Sequence, residues 1–247
     1  MSRLEIYSPE GLRVDGRRWN ELRRLECSIN THANASDGSS YLEQGNNKII
    51  TLVNGPQEPK LRSQTNVTKA VLSIAVNITR FSKTERSKSS HRNERRVLEM
   101  QTALARTFEK NILLHLYPRT QIDIQIHVLQ QDGGLMGSLI NGITLALIDA
   151  GIAIYDYISG VSIGLYDTTP LLDLNTVEES AMSSVTLGVM GRSEKLSLLL
   201  VEDKLPLDTM ESVLAIGIAG SHRIRELMDK ELRKHGEKRL ANISSNQ

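Results

Sequence analysis

The sequence has almost no cysteine, since Cys27 is the only one in 247 residues. A single thiol excludes an internal disulfide and gives no indication of secretion, and its simplest interpretation is a buried structural side chain. Cys/His clusters with zinc-site spacing are also lacking. The apolar stretches are too short for a transmembrane helix, and the first residues lack the apolar core of a signal peptide. No Gly-x-Ser-x-Gly elbow supports a Ser-His-Asp hydrolase.

The chain has little net charge, with a formal value of +1 from 30 Lys and Arg against 29 Asp and Glu. The distribution is uneven, because residues 60–96 hold ten Lys or Arg and two Asp or Glu. A balanced chain with one basic segment favours a local anion-binding face over general adhesion to polyanions. The length fits one large globular domain or two small lobes.

The pattern along the chain predicts an order of strands and helices that occurs twice. Alternating and β-branched segments predict strands at residues 25–30, 39–43, 48–53, 70–79, 121–128, 161–166, 184–190 and 196–201. Apolar residues at helical spacing predict helices at about 93–116, 139–150 and 208–234. Strands followed by helices, twice over, predict an α/β (α+β) chain of two similar lobes.

Residues 132–138, Asp-Gly-Gly-Leu-Met-Gly-Ser, have the frame of a phosphate-binding loop. A glycine-rich turn before a helix presents free backbone N–H groups and the positive end of the helix dipole to an anion. Oxyanion sites normally add an arginine, whose planar guanidinium holds phosphate by two hydrogen bonds. Here the side chains on offer are Leu135 and Met136, and a methionine neither donates a hydrogen bond nor carries a charge.

Six motifs in a fixed order carry a family resemblance. They are Arg-Val-Asp-Gly-Arg at 13–17, Ser-Asp-Gly-Ser at 36–39, Glu-Arg-Arg at 94–96, Tyr-Pro-Arg-Thr at 117–120, Asp-Gly-Gly at 132–134 and Asp-Ala-Gly-Ile at 149–152. Together they resemble the RNase PH-like phosphorolytic exoribonucleases. The resemblance covers about residues 12–234. The degenerate loop, Gly-Leu-Met-Gly-Ser-Leu-Ile-Asn-Gly at 134–142, is similar to that of the fungal RNase PH-like core subunit of the RNA exosome, the counterpart of the archaeal exosome's catalytic ring subunit. The resemblance implies a single RNase PH-like domain over residues 1–247, with an N-terminal arm at about 1–20 and a frayed polar tail at about 236–247.

The resemblance also implies that catalytic groups have been lost. The family's phosphate-gripping Thr or Ser and Arg fall on Leu135 and Met136, and its later catalytic Asp falls on Ser184, or on Ser183 given a spacing one residue short. A serine hydroxyl is a poor general base and a poor ligand for a hard divalent cation. The expected site therefore has no catalytic residue, no metal and no cofactor. Asp173, Glu178 and Glu179 remain, and a solvated turn is their simpler interpretation.

Two positions are candidates for contact with RNA. Arg95 and Arg96 open the first long helix, where two guanidinium groups repel one another unless an anion lies nearby. A solvated basic helix start is the alternative, and the resemblance favours RNA phosphate. Arg62 and Ser63 lie in a loop, and the resemblance implies that they face a central pore. A surface loop without a role stays open for that pair.

The function implied by the resemblance is that of a non-catalytic ring subunit of the RNA exosome core. Its partners would be other RNase PH-like subunits in a six-membered ring, RNA-binding cap subunits, a hydrolytic exoribonuclease subunit and single-stranded RNA, with no membrane partner. Arg62, Ser63, Arg95 and Arg96 would guide RNA towards that separate 3′–5′ exoribonuclease, for RNA processing and decay in the nucleus, nucleolus and cytoplasm. Two alternatives stay open: an active phosphate-dependent 3′–5′ exoribonuclease that releases nucleoside diphosphates, and an RNA-binding module that acts alone.

Overall fold

The computed structural model describes residues 6–8, 10–59, 66–84, 86 and 91–245. In chain order the elements are β1 (Leu25–Ile29), β2 (Gly38–Gln44), β3 (Asn47–Gln57), β4 (Val71–Ile78), α1 (His91–Asn111), β5 (Gln121–Gln130), α2 (Leu135–Asp149), β6 (Ile158–Tyr166), β7 (Thr169–Leu172), α3 (Thr176–Ala181), β8 (Ser183–Met190), β9 (Leu196–Val201) and α4 (Leu207–Ser245). None of the helices in these ranges combines the length and the hydropathy that a bilayer crossing requires. The loop residues Arg62 and Ser63 lie outside the described residues.

The first sheet has five strands in the order β1-β2-β3-β5-β4. Strands β1, β2 and β3 form an antiparallel meander, and β5 continues it antiparallel to β3. Strands β4 and β5 are parallel, so the chain between them has to cross over the sheet, and α1 lies in that crossover. The alternation predicted for β5 is confirmed by the burial of one complete face: Ile122, Ile124, Ile126 and Val128.

The helix α1 packs on β4 through the apolar face that its spacing predicted. Leu104 and Phe108 of α1, and Ile112 directly after its end, are all buried there. The sequence predicted one helix as far as residue 116, but α1 ends at Asn111 and a separate 3-10 turn follows at Leu114–Leu116. The Asn111 side chain donates a hydrogen bond to the Asp156 carbonyl at 2.9 Å. Tertiary contacts of this kind outweigh the helical pattern, so the backbone leaves the helical conformation after Asn111.

The second sheet has four strands in the order β7-β6-β8-β9, and all neighbours are antiparallel. The short elements β7 and α3 were not predicted, because periodicity needs more residues than either contains. Helix α4 covers the sheet and also contacts β1, where Cys27 is half-buried against it. Burial, helped by the charge of Glu231, raises the pKa of the Cys27 thiol to about 11.

The helix α4 continues to Ser245, so its last part occupies the segment in which the sequence predicted a frayed tail. Residues 237–240 are Glu, Lys, Arg and Leu, and all four are exposed. These residue types favour helix without any core contact. The polar composition of this segment therefore does not by itself indicate irregular backbone structure.

The helix α2 lies between the two sheets and joins them. One side packs on β2 and β3 and the other on β6. Every residue from Leu135 to Leu147 is buried, which explains why the helix is apolar all round. The sequence predicted a start at Leu139, but the helix begins at Leu135. The helix runs through Gly137, so Leu135 and Met136 belong to the first helical turn rather than to a loop.

Candidate functional site

The turn that joins β5 to α2 requires its two glycines. Gly133 and Gly134 have φ values of 66° and 59°, in the left-handed region that glycine tolerates. A Cβ atom on Gly133 would lie 2.4 Å from the carbonyl carbon of Asn175, and one on Gly134 would lie 2.5 Å from Ser162 Oγ. The turn is therefore pressed between the start of α3 and β6, and it places the N-terminus of α2 at an open groove.

Leu135 and Met136 line that groove, which has a volume of about 1360 Å³. Its other walls come from the end of β4, the start of α1, and strands β8 and β9. Both side chains are only 6% exposed and pack into the core that α2 shares with the first sheet. Gly134 provides no side-chain cap for α2. The side chains that the first turn of α2 contributes to the groove are therefore apolar.

Four cationic side chains of the described residues line the same groove: Arg80, Lys83, Arg95 and Arg96. Arg95 Nε lies 3.1 Å from Glu99 Oε1, and Arg96 Nη2 lies 4.0 Å from Glu202 Oε2. The four paired side chains are 47% exposed or more, so these ion pairs are weak and readily exchanged. The structure thus brings the predicted Arg95 and Arg96 to the same groove as Leu135 and Met136.

Sequence reasoning did not predict that carboxylates lie among these cations. They are Glu94, Glu99, Glu179 and Glu202. Glu179 is half-buried, and its Oε2 accepts a hydrogen bond from the Gly134 N–H at 3.1 Å. It lies in the first turn of α3, and the available signal was Asn175 with Glu178 three residues later, the pattern of a capping box.

The pleat of β8 shows which of Ser183 and Ser184 lies on the face that borders the groove. Successive side chains along a strand point to opposite faces. Thr186 lines the groove, so Ser184 lies on the groove face and Ser183 on the other. The Ser183 hydroxyl donates a hydrogen bond to the Lys204 carbonyl at 3.2 Å. Ser184 is therefore the residue that faces the groove, and it is 8% exposed.

The interpretation of Asp173 as part of a solvated turn is wrong. Its side chain is 1% exposed and forms an ion pair with Arg23, with 2.7 Å between Arg23 Nη2 and Asp173 Oδ1. Burial by itself raises the pKa of Asp173, but the Arg23 charge and hydrogen bonds, with a further bond from Gln44, outweigh burial and hold the pKa below its usual value. Asp173 lies outside the lining of the groove. It supports the turn from behind, because Arg23 also donates to the Asp132 carbonyl at 2.5 Å.

Glu178 is likewise buried and not solvated. It is 0% exposed, and its carboxylate pairs with Arg13, whose Nε lies 2.6 Å from Glu178 Oε1. The same carboxylate accepts from the Asn175 N–H at 2.9 Å to complete the capping box of α3. The Arg-Val-Asp-Gly-Arg motif therefore fixes the N-terminal arm to the second lobe through the Arg13–Glu178 ion pair.

Among the described residues, no group of three or more His, Cys, Asp or Glu side chains is placed to hold a metal ion.

Sequence profiles of a single family cover most of the chain. The profile of the 3′ exoribonuclease family, domain 1, matches residues 21–153, and that of domain 2 matches residues 156–220. The chain belongs to the RNase PH family. The boundary between the two RNase PH profiles falls between α2 and β6, so the α/β (α+β) fold and the family predicted from the motifs are confirmed.

Curated proteins from several kingdoms resemble this RNase PH chain over its full length. The chain is 76% identical over 245 residues to "Exosome complex component SKI6" of Saccharomyces cerevisiae, which covers 99% of this chain and 100% of the relative. It is 38% identical over 237 residues to "Exosome complex component RRP41" of Homo sapiens, covering 95% and 96%. It is 31% identical to "Exosome complex component Rrp41" of Thermococcus kodakarensis, covering 99% and 97%.

Two solved structures have the same fold. The crystal structure of rice (Oryza sativa) Rrp46 superposes with a TM-score of 0.78 at 26% identity, covering 90% of this chain and 100% of that one. The Archaeoglobus fulgidus exosome with RNA bound to the active site superposes with a TM-score of 0.70 at 16% identity, covering 88% and 92%. At that lower identity, the archaeal structure supports the fold alone.

Proposed function

We propose that this RNase PH chain is a non-catalytic ring subunit of an RNA exosome core, which guides single-stranded RNA to a separate 3′–5′ exoribonuclease. The observation that carries the proposal is the first turn of α2. Leu135 and Met136 line the groove there, where phosphorolysis requires groups that bind phosphate. The names of the curated relatives, all exosome complex components, support the assembly.

The path for RNA follows from the charges of the groove. Arg80, Lys83, Arg95 and Arg96 present cations along it, and carboxylates hold Arg95 and Arg96 only weakly. Contacts of this kind meet phosphates and not base edges, so binding would be independent of sequence and sensitive to salt. Arg62 and Ser63 would extend the path, but they lie outside the described residues.

The proposed partners are other RNase PH-like subunits in a six-membered ring, RNA-binding cap subunits and a hydrolytic exoribonuclease. Size-exclusion chromatography would test the assembly. We also propose that the protein works in the nucleus, the nucleolus and the cytoplasm, and fluorescence microscopy of the tagged chain would test this location.

The size-exclusion experiment also tests an alternative function. A stable monomer that does not enter a complex with its partners would instead support an RNA-binding module that acts alone.

One observation favours an active phosphate-dependent exoribonuclease. Glu179 places a carboxylate beside the N-terminus of α2, where a proton-transfer group would be useful. Against this alternative, Leu135 and Met136 supply no phosphate ligand, and Ser184 supplies no acid. A phosphate-binding arginine and a catalytic acid each contribute orders of magnitude to the rate of such reactions.

The deciding experiment is a phosphorolysis assay on the chain assembled with its ring partners. Labelled single-stranded RNA, magnesium and inorganic phosphate are supplied, and release of nucleoside diphosphates is measured. We expect no release from a ring that still binds the RNA. Phosphate-dependent release that disappears in Glu179→Ala would establish an active enzyme with a rebuilt site.

A further inference from the structure

Phe81 is a large apolar side chain that lies in solvent. The chain has two phenylalanines: Phe108 is 0% exposed in the core, whereas Phe81 is 71% exposed. Phenylalanine is among the residues that are most often buried, because contact between its aromatic side chain and water is unfavourable. A single exposed apolar side chain is common and indicates nothing by itself. The surroundings of Phe81 therefore determine whether it has a role.

The backbone next to Phe81 is fixed by hydrogen bonds. The Ser82 N–H donates to the Thr79 carbonyl at 3.1 Å, which makes Arg80 and Phe81 the central residues of a tight turn after β4. Ser82 is 3% exposed, and its carbonyl accepts from the Gln131 N–H at 2.9 Å. Such turns favour Gly, Pro, Asn, Asp and Ser. Neither turn geometry nor core packing therefore explains a phenylalanine at this position.

Cationic side chains lie around Phe81. A surface cavity of about 420 Å³ is lined by Arg80, Phe81, Lys83, Thr84 and Arg86. None of the three cations has an ion-pair partner within the part of the chain that the structure describes. Residues 80–86 contain one acid, Glu85, which lies outside the described residues. Unpaired cations beside an aromatic face suit a polyanion that also carries flat aromatic groups.

This cavity adjoins the groove that contains Arg95 and Arg96. Arg80 and Lys83 line both, so the two cavities share a cationic wall. Proteins that bind single strands without sequence preference combine a basic groove for the phosphates with aromatic side chains on which bases stack. Phe81 and its neighbours supply both parts of that combination. The occupant that fits this surface is therefore a single strand of nucleic acid.

We propose that Phe81 is a base-stacking residue for single-stranded RNA, and that Arg80, Lys83 and Arg86 bind the phosphates next to the stacked base. The inference rests on the proposed function, because it adds a contact to the same RNA path. It differs from the contacts of Arg95 and Arg96, since a base and not a phosphate meets the protein at Phe81. Every base has an aromatic face, so this contact is also independent of sequence.

The test measures the affinity of single-stranded RNA for the chain assembled with its ring partners, by fluorescence anisotropy. Phe81→Ala is expected to weaken binding about tenfold, as loss of one stacked base does. Phe81→Trp should bind at least as tightly as the native assembly. Phe81→Leu should bind as weakly as Phe81→Ala, because leucine is apolar but cannot stack. Tyr155→Ala is the matched control and should have no effect, since Tyr155 is 64% exposed and lines neither cavity.

A second RNA separates stacking from a general structural effect. An RNA of the same length with abasic riboses keeps its phosphates but offers no base to Phe81. Phe81→Ala should therefore bind the abasic RNA as tightly as the native assembly does. Arg80→Ala and Lys83→Ala should weaken binding of both RNAs and reduce the dependence of affinity on salt, because each removes a phosphate contact.

Four results would overturn the proposal. The first three are unchanged affinity of Phe81→Ala for ordinary RNA, native affinity in Phe81→Leu, and an equal loss of affinity for abasic RNA in Phe81→Ala. The fourth is failure of Phe81→Ala and Phe81→Leu to assemble, measured by size-exclusion chromatography. That result would show that a neighbouring subunit, and not RNA, covers Phe81.

Failure of this inference is distinguishable from failure of the proposed function. Release of nucleoside diphosphates by the native assembly would overturn the non-catalytic role, whatever the Phe81 variants show. Unchanged RNA affinity in the Phe81 variants, with the native assembly inactive in phosphorolysis, would overturn only the role of Phe81 and leave the path along Arg95 and Arg96.

Discussion

The Arg23 guanidinium and the Asp173 carboxylate form a buried ion pair that supports the glycine turn before α2. The Nη2–Oδ1 distance is 2.7 Å, and the two side chains are 6% and 1% exposed. Arg23 also donates to the carbonyls of Asp132 and Gly133, at 2.5 Å and 3.3 Å. An acid that sequence motifs place near a catalytic centre is thus part of the scaffold that holds the turn.

Loss of the Asp173 charge is expected to destabilise the protein strongly. In Asp173→Asn, Arg23 is left buried without its counter-charge, and disruption of a buried pair in this way typically costs about 3 kcal/mol or more. Urea denaturation of the purified chain measures the change. Asp167→Asn is the matched control, because Asp167 is also an aspartate with a left-handed φ but is exposed, so its substitution should have little effect. Equal losses in the two variants would contradict the importance of the ion pair.

The same pair predicts how stability depends on pH. Burial by itself raises the pKa of Asp173, but Arg23 holds that pKa below the ordinary value of 3.8. A carboxylate whose pKa is lowered by folding stabilises fully above its unfolded pKa, and this contribution is lost as the pH falls through its folded pKa. We expect the free energy of unfolding to decrease from about pH 5 downwards, with a shallower decrease in Asp173→Asn. Identical pH profiles for both proteins would exclude Asp173 as the cause.

Substitution of Gly134 is expected to disturb the turn by steric overlap as well as by backbone strain. A Cβ at Gly134 would lie 2.5 Å from Ser162 Oγ, whereas at Gly151, with φ of 70°, no atom lies within 4 Å. Both Gly→Ala variants carry the left-handed cost of about 1–2 kcal/mol, but only Gly134→Ala adds the overlap. Thermal denaturation should therefore show a larger loss for Gly134→Ala, and a similar loss in both would show that the turn can relax.

Charge reversal of Arg95 and Arg96 is expected to slow degradation of RNA that passes through the assembled complex. The double variant to Glu replaces two groove cations by anions, so phosphates are repelled, and the defect should grow as the salt concentration is lowered. Degradation of a long single-stranded RNA by the complex with its hydrolytic subunit measures the effect. Arg106→Glu is the control, since Arg106 is exposed on the same helix and does not line the groove. Unchanged degradation by a complex that assembles normally would remove these arginines from the path.

The sequence motifs identified which residues form the site more reliably than they identified how those residues are arranged. The Gly-Gly turn, the absence of an arginine directly after it and the Arg95-Arg96 pair could all be identified from the sequence, because each depends on a few adjacent residues. The start of α2 was misplaced by the apolar pattern, which does not distinguish a helix whose first turn is buried from a loop that precedes it. Glu179 was overlooked as a contact of α2 because its helix, α3, has only six residues.

The sequence by itself determined the family, most of the strands and helices, and the absence of phosphate-binding side chains at Leu135 and Met136. Only the tertiary structure decided what the remaining acids do. Asp173 and Arg23 are separated by 150 residues, and Glu179 reaches Gly134 across 45. Periodicity and motif spacing report local backbone conformation. The structural role of a carboxylate depends instead on which charge or N–H group the fold brings next to it. The roles of the three acids therefore differ according to their packing. Asp173 and Glu178 hold the scaffold together, and Glu179 occupies the end of the groove.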